Sequence, residues 1–170
     1  MLVVPLLLWR LSVAAPLPGC ALQAEIAGPP SIIANTEFSL KVTISNTGKQ
    51  GCRFVRYWKW ARNRMFLELE NSHGHVQESK PALWDIDKAY TCFYVKPLDV
   101  GDSYSFNIRV NGEIGTLSLP IPLPGSHRLR WRYTGDSNNV KVCPVGNVAT
   151  WTGDLRSNDI STVVEESSRR

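Results

Sequence analysis

Residues 36–48 (TEFSLKVTISNTG) alternate with period two: Phe38, Leu40, Val42 and Ile44 fall on one parity, Ser39, Lys41, Thr43 and Ser45 on the other. Asn46-Thr47-Gly48 then stops the run. Such alternation puts one row of side chains in a core and the other in water, as in a strand of a packed sheet. Burying the four apolar side chains is worth roughly 1.5–3 kcal/mol each. The pattern recurs along the chain. Residues 21–27 predict a first strand, stopped by Gly28-Pro29-Pro30, and residues 65–70 another, ended by Asn71-Ser72-His73-Gly74. Residues 89–96 predict a strand before Pro97 and the turn at Asp99-Val100-Gly101-Asp102. Tyr104, Phe106, Ile108 and Val110 alternate with polar residues, and Asn111-Gly112 predicts a hairpin returning through residues 113–119. Leu129, Trp131 and Tyr133 alternate with Arg128, Arg130 and Arg132, and residues 158–165 predict the last strand. Helical periodicity is scarce. Seven to nine short strands separated by turn signals predict an all-β antiparallel sandwich or barrel.

Composition narrows the class. A chain of 170 residues has room for one domain plus terminal segments. With 43% hydrophobic and 20% charged residues it is globular rather than disordered. The net charge of +4 is compatible with anionic surfaces without demanding them. Residues 1–20 (MLVVPLLLWRLSVAAPLPGC) are short, apolar and end in small residues, which fits an export signal better than a spanning helix. Leu17-Pro18-Gly19-Cys20 resembles a bacterial lipobox, in which Cys20 would be lipidated and become the new N-terminus. Cleavage near Ala15 or Ala21 is the rival, and an internal strand or helix the third reading. The expected organisation is an export segment over 1–20, a β-sandwich over 21–166 and a polar tail over 167–170. The expected location is exported: periplasm, outer membrane or extracellular, with a membrane tether if Cys20 carries lipid.

Cysteine usage agrees with export. Besides Cys20 the chain has Cys52, Cys92 and Cys143. A lipidated Cys20 leaves one pair and one free thiol, whereas a retained thiol allows three connectivities. Cys52 and Cys92 both lie beside expected strands, so that pair is the expected disulfide. No C-x-x-C or C-x-x-H spacing points to zinc.

Several motifs in order carry a family resemblance. They are Ile44-Ser45-Asn46-Thr47-Gly48, Phe66-Leu67-Glu68-Leu69-Glu70, and Val100-Gly101-Asp102-Ser103-Tyr104-Ser105. Pro124-Gly125-Ser126-His127-Arg128-Leu129-Arg130-Trp131-Arg132-Tyr133 and Trp151-Thr152-Gly153-Asp154-Leu155-Arg156-Ser157-Asn158 follow. Over about residues 24–165 the chain resembles small secreted bacterial domains with an immunoglobulin-like sandwich, and is loosely similar to BsuPI-type proteinase inhibitors. The resemblance implies an antiparallel immunoglobulin-like β-sandwich. It carries no inhibitory loop or catalytic residue onto this chain.

The segment 52–66 (CRFVRYWKWARNRMF) interleaves Arg53, Arg56, Lys59, Arg62 and Arg64 with Phe54, Tyr57, Trp58 and Trp60. As a helix it places Phe54, Trp58, Ala61 and Met65 on one face, the pattern of an interfacial helix favouring anionic lipid. As a strand it is a core element leading into a basic surface loop. Rings among cations also suit glycans; nucleic acid is not expected of an exported chain. Arg128, Arg130 and Arg132 form a second basic row, read either as a stripe for an acidic partner or as cross-strand partners of Glu68 and Glu70. Catalytic signals are thin. His73 and His75, with Glu70 or Glu78, are a weak metal set. Asp85, Asp87 and Asp99 are loop carboxylates, and Trp84 and Trp151 are loop aromatics that either bind sugar or protein or pack under a loop. No metal or cofactor is expected. The expected function is a non-catalytic binding or structural module whose partner is a protein or an anionic envelope component. The alternatives are a small metal-dependent hydrolase or its accessory domain, and a membrane-surface or glycan binder through 52–66.

Overall fold

The structure is a computed structural model and describes residues 19–55, 65–80, 95–112, 117–119, 124–135 and 151–166. Every regular element among them is a strand. In chain order these are β1 (Leu22–Ala27), β2 (Ser31–Ile33), β3 (Phe38–Asn46), β4 (Cys52–Val55), β5 (Met65–Asn71) and β6 (Val76–Glu78). Then come β7 (Val95–Leu98), β8 (Ser103–Val110), β9 (Gly125–Gly135), β10 (Gly153–Arg156) and β11 (Ile160–Glu165). One sheet has the order β1-β3-β8; a second runs β2-β11-β9-β5-β6 with β10 beside β9; β4 and β7 pair separately. The two larger sheets pack face to face as a sandwich. Leu40, Val42, Ile44, Phe106, Ile108 and Val110 point inward from one sheet, and Leu67, Leu69, Leu129, Trp131, Tyr133 and Val164 from the other. The expected alternation is what fills this core: Leu40, Val42 and Ile44 are fully buried. An aromatic chain crosses it, with Phe106 against Trp131 at 6.3 Å and Phe54 against Tyr133 at 4.9 Å between ring centroids.

β10 and β11 lie along the same edge of β9 as one interrupted strand. Arg156 faces Arg132 and Ile160 faces Leu129, so four steps on one strand oppose three on the other. The extra residue makes a β-bulge, which bends a strand and re-aims its side chains. Within it Ser157 closes the ladder, exchanging bonds with the backbone of Trp131 through its own amide and its Oγ, each at 2.9 Å. Asn158 turns to the other sheet. Its Oδ1 accepts the amide of Ile26 on β1 at 2.8 Å and its Nδ2 donates to the Ile26 carbonyl at 3.4 Å. Asp159 turns outward to Arg130. The Trp151–Asn158 motif is therefore the seam between the sheets.

A second polar hub closes one pole. Asn46 is 1% exposed. Its Nδ2 donates to the carbonyls of Gln50 at 2.8 Å and Leu98 at 3.0 Å, and its Oδ1 accepts the Gly48 amide at 3.0 Å. Its backbone bonds Asp102 and Gly101. One side chain thus joins the end of β3, the Asn46-Thr47-Gly48 turn and the end of β7.

Several expectations are corrected. Between the named strands of the described residues the ladders are antiparallel except that β2 runs parallel to β11. β2 and β6, three residues each, are too short to show a period. Pro97 sits inside β7 opposite Arg53 rather than beyond the strand. Residues 113–116 of the expected return strand lie outside the described residues; Leu117 makes a parallel bridge to Val110 rather than an antiparallel one, and Asn111 Oδ1 accepts the Leu119 amide at 2.8 Å. A continuous helix over 52–66 is excluded by strands at both its ends, β4 and β5. Cys52 is bonded to Cys20, with Cα atoms 5.7 Å apart, and not to Cys92. The β1-β3 pairing carries Cys20 to the turn that leads into β4, a closure that strand proximity alone does not show.

The Asn46 hub generates a prediction. Asn46→Ala leaves the buried Leu98 carbonyl and the part-buried Gln50 carbonyl without their donor and should cost about 2–3 kcal/mol. Asn46→Asp should cost more at pH 7, because a carboxylate then faces those carbonyls. It should recover part of the loss in acid, where the protonated group donates again. Urea denaturation at pH 7 and pH 4 reads both; an Asn46→Asp variant as stable as the parent at pH 7 would refute the assignment.

Candidate functional site

Two regions bear on the residues expected to bind: one holds Arg128, Arg130 and Arg132, the other the flanks of residues 56–64. The first is the outer face of β9. Its register with β5 sets Arg128 opposite Glu70, Arg130 opposite Glu68 and Arg132 opposite Phe66. Arg128 pairs with Glu70. Arg130 grips Asp159 with Nε at 2.6 Å and Nη2 at 2.8 Å, and reaches Glu68 at 3.4 Å. Arg132 spans Glu68 at 3.2 Å and Glu78 at 3.3 Å, with its guanidinium 5.3 Å from the Phe66 ring centre. Three guanidiniums therefore meet four carboxylates, a balance of −1. The basic stripe is corrected to a charge-compensated ladder, the cross-strand alternative. Asp159 and Glu78 were not foreseeable as its members, since the bulge and the short β6 bring them there. The hydrogen bonds from Arg130 hold the Asp159 carboxyl below the usual carboxylate range, against the opposing effect of burial. On the other sheet the hydrogen bond from Arg109 does the same for Glu37.

The second region is the pole around Tyr133. Tyr133 stands opposite Met65, the first residue of β5, and packs on Phe54 of β4 and, at 6.1 Å, on Trp151. The Trp151 amide donates to the Arg53 carbonyl at 2.9 Å. Trp151 is thus a packed residue covering Gly135 and Gly153, where an added Cβ would press on its ring. Arg53 is 8% exposed, held in β4, and is not part of an open basic surface. Val55 faces Val95 across β4 and β7, and Gly153 faces Gly135 across β10 and β9. Lys80 lies two residues past Glu78, on the Phe66 side of β5. The flanks of residues 56–64, 81–94 and 136–150 therefore all converge on this pole. Arg56, Trp58, Lys59, Trp60, Arg62 and Arg64 lie outside the described residues, as do Trp84, Asp85, Asp87, Cys92 and Cys143.

The residues of the hydrolase alternative are not brought together. Asn71 Oδ1 accepts the amides of His73 at 2.9 Å and His75 at 3.0 Å, which makes the segment an exposed turn. Glu70 is engaged by Arg128 and Glu78 by Arg132. Among the described residues no three His, Cys, Asp or Glu side chains gather as a metal set. His127 is buried, its Nδ1 bonded to the Gly125 carbonyl at 2.9 Å.

The ladder predicts an acid limb. A carboxylate with a lower pKa folded than unfolded stabilises above its unfolded pKa, and loses that contribution as pH falls through the folded value. Asp159→Asn should therefore cost roughly 0.5–1 kcal/mol at pH 7. The gap from the parent should close as pH falls below about 4. Parallel urea titrations at pH 7 and pH 3 test this, and a gap that persists in acid would count against it.

No family model and no curated protein matches the chain. The expected similarity to BsuPI-type inhibitors is not supported by these comparisons. Solved structures with a similar arrangement include the CARDB domain of the PF1109 protein from Pyrococcus furiosus, determined with di-metal ions. It is 13% identical, with a TM-score of 0.39 over 86% of this chain and 90% of that one. A β-glucosidase from Listeria innocua in complex with glucose is 12% identical, with a TM-score of 0.42 over 85% of this chain and 16% of that one.

Proposed function

We propose that this chain is an exported, non-catalytic β-sandwich module that binds an anionic partner, a protein or an envelope component, at the pole around Tyr133. Charge placement carries the reading. Residues 56–64 (RYWKWARNR) contain four of the 19 Lys+Arg and none of the 15 Asp+Glu, so the remainder of the chain balances at 15 to 15. The whole net charge of +4 thus belongs to nine residues whose flanks, Val55 and Met65, stand at that pole. Arg128, Arg130 and Arg132, by contrast, are spent within the ladder. Trp58 and Trp60 add aromatic contact area among the cations. Segments gathered at one end of a rigid sandwich are a common place for recognition. The Cys20–Cys52 disulfide supports an oxidising compartment and hence export.

Retention on a polyanion matrix and co-sedimentation with anionic vesicles at low salt test the reading. Replacing Arg56, Lys59, Arg62 and Arg64 with Gln should weaken binding roughly a hundredfold or more, at about 1 kcal/mol per charge. Replacing Arg128 with Gln should leave it unchanged. Equal retention of the parent and the fourfold variant would refute the site.

A further inference from the structure

We infer that Gly19 and Cys20 are a built-in part of the folded module, so that the Gly19–Cys20 peptide bond stays intact and Cys20 carries a disulfide in place of a lipid. The lipobox-like end of the export segment makes this a real choice, because lipoprotein maturation cuts that bond and alkylates that sulfur. Three features of the fold oppose the cut. The Gly19 carbonyl accepts the amides of Lys49 at 2.7 Å and Gln50 at 3.0 Å, so it closes the turn after β3. Cleavage would remove this acceptor. Gly48 is shaped for the same contact: a Cβ there would run into the Gly19 carbonyl oxygen and come within 2.5 Å of the Ala21 nitrogen. Gly19 itself has φ +105, and a Cβ on it would sit 2.8 Å from Cδ of Gln50. Glycine is the residue that adopts this conformation without strain. The third feature is the bond from Cys20 to Cys52, whose residue is fully buried beside the pole.

The Asn46-Thr47-Gly48 turn is thus a socket for residues 19–21. The Thr47 amide holds the Ala21 carbonyl at 2.9 Å, Gly48 makes room, and the next two amides hold Gly19. Proteolytic processing then falls N-terminal to Gly19, and the module is not anchored through Cys20. The disulfide forms by exchange with an external protein disulfide of the oxidising compartment. The thiolate of one cysteine attacks it, the second thiolate resolves the mixed disulfide, and the two electrons and two protons leave with the reduced dithiol donor. The inference rests on the proposed export and not on the proposed binding role.

The test uses the full chain, expressed in a bacterium with an oxidising envelope and fed an alkyne-tagged fatty acid. Free thiols are alkylated under denaturation and the protein is mapped by peptide mass without reduction. The expected product carries no fatty acid and yields a peptide with the Gly19–Cys20 bond intact, joined to the Cys52 peptide and released from it by reductant. A mature N-terminus at Cys20 bearing lipid overturns the inference. So does recovery of Cys52 joined to Cys92 or Cys143, or of Cys20 and Cys52 as alkylated thiols. Single Cys20→Ser and Cys52→Ser variants should each lower the denaturation midpoint, Cys52→Ser the more because it also buries a hydroxyl, and the double variant should lose less than their sum; additive losses overturn the pairing.

Discussion

The bulge at Ser157–Asp159 is the constraint on which the sandwich depends. One extra residue interrupts the β9 ladder, and three consecutive side chains leave in three directions. Ser157 replaces the missing ladder contact at Trp131. Asn158 satisfies both backbone groups of Ile26, which ties the edge of β1 to the opposite sheet. Asp159 anchors Arg130, the centre of the ion-pair ladder. A bulge without these residues would leave backbone donors and acceptors unpaired between two apolar layers, where each costs about 1–3 kcal/mol.

The other end of β1 depends on a different polar device. Asn46 gathers the turn after β3, the end of β7 and the loop into β8, and that turn in turn holds Gly19 and Ala21. Asn158 acts on the edge strand β1, and Asn46 at the end of the central strand β3, where the ladder runs out. Between them the core packs by shape and area, with Trp131 and Tyr133 stacked at 6.0 Å and Phe54 lodged against Tyr133. The base of the pole around Tyr133 is thus closely packed.

The candidate site was only partly legible in the chain. The density of Arg, Lys and Trp in residues 56–64 is a local property and is visible without any fold. That Arg128, Arg130 and Arg132 are paired with carboxylates is a non-local property. It depends on strand register, which places Glu68 and Glu70 across from them, and on the bulge, which delivers Asp159 from 29 residues away. A row of cations on one strand says nothing about the strand beside it. The same holds for Trp151, whose loop position in the sequence conceals a packed ring over Gly135 and Gly153.

Period-two alternation was enough to establish an all-β chain, and to name its inward rows, because burial parity is a property of each strand alone. Leu40, Val42 and Ile44, and likewise Leu129, Trp131 and Tyr133, occupy the core that their alternation requires. Pairing lies beyond such reading. The parallel β2–β11 contact, the parallel return of Leu117 to Val110 and the bond of Cys20 to Cys52 join residues far apart in the chain. Nothing local distinguishes Cys20 from Cys92 as a partner for Cys52. The choice is made when β1 docks on β3 and the turn after β3 closes on Gly19. Only then do two distant sulfurs come within a bond's reach.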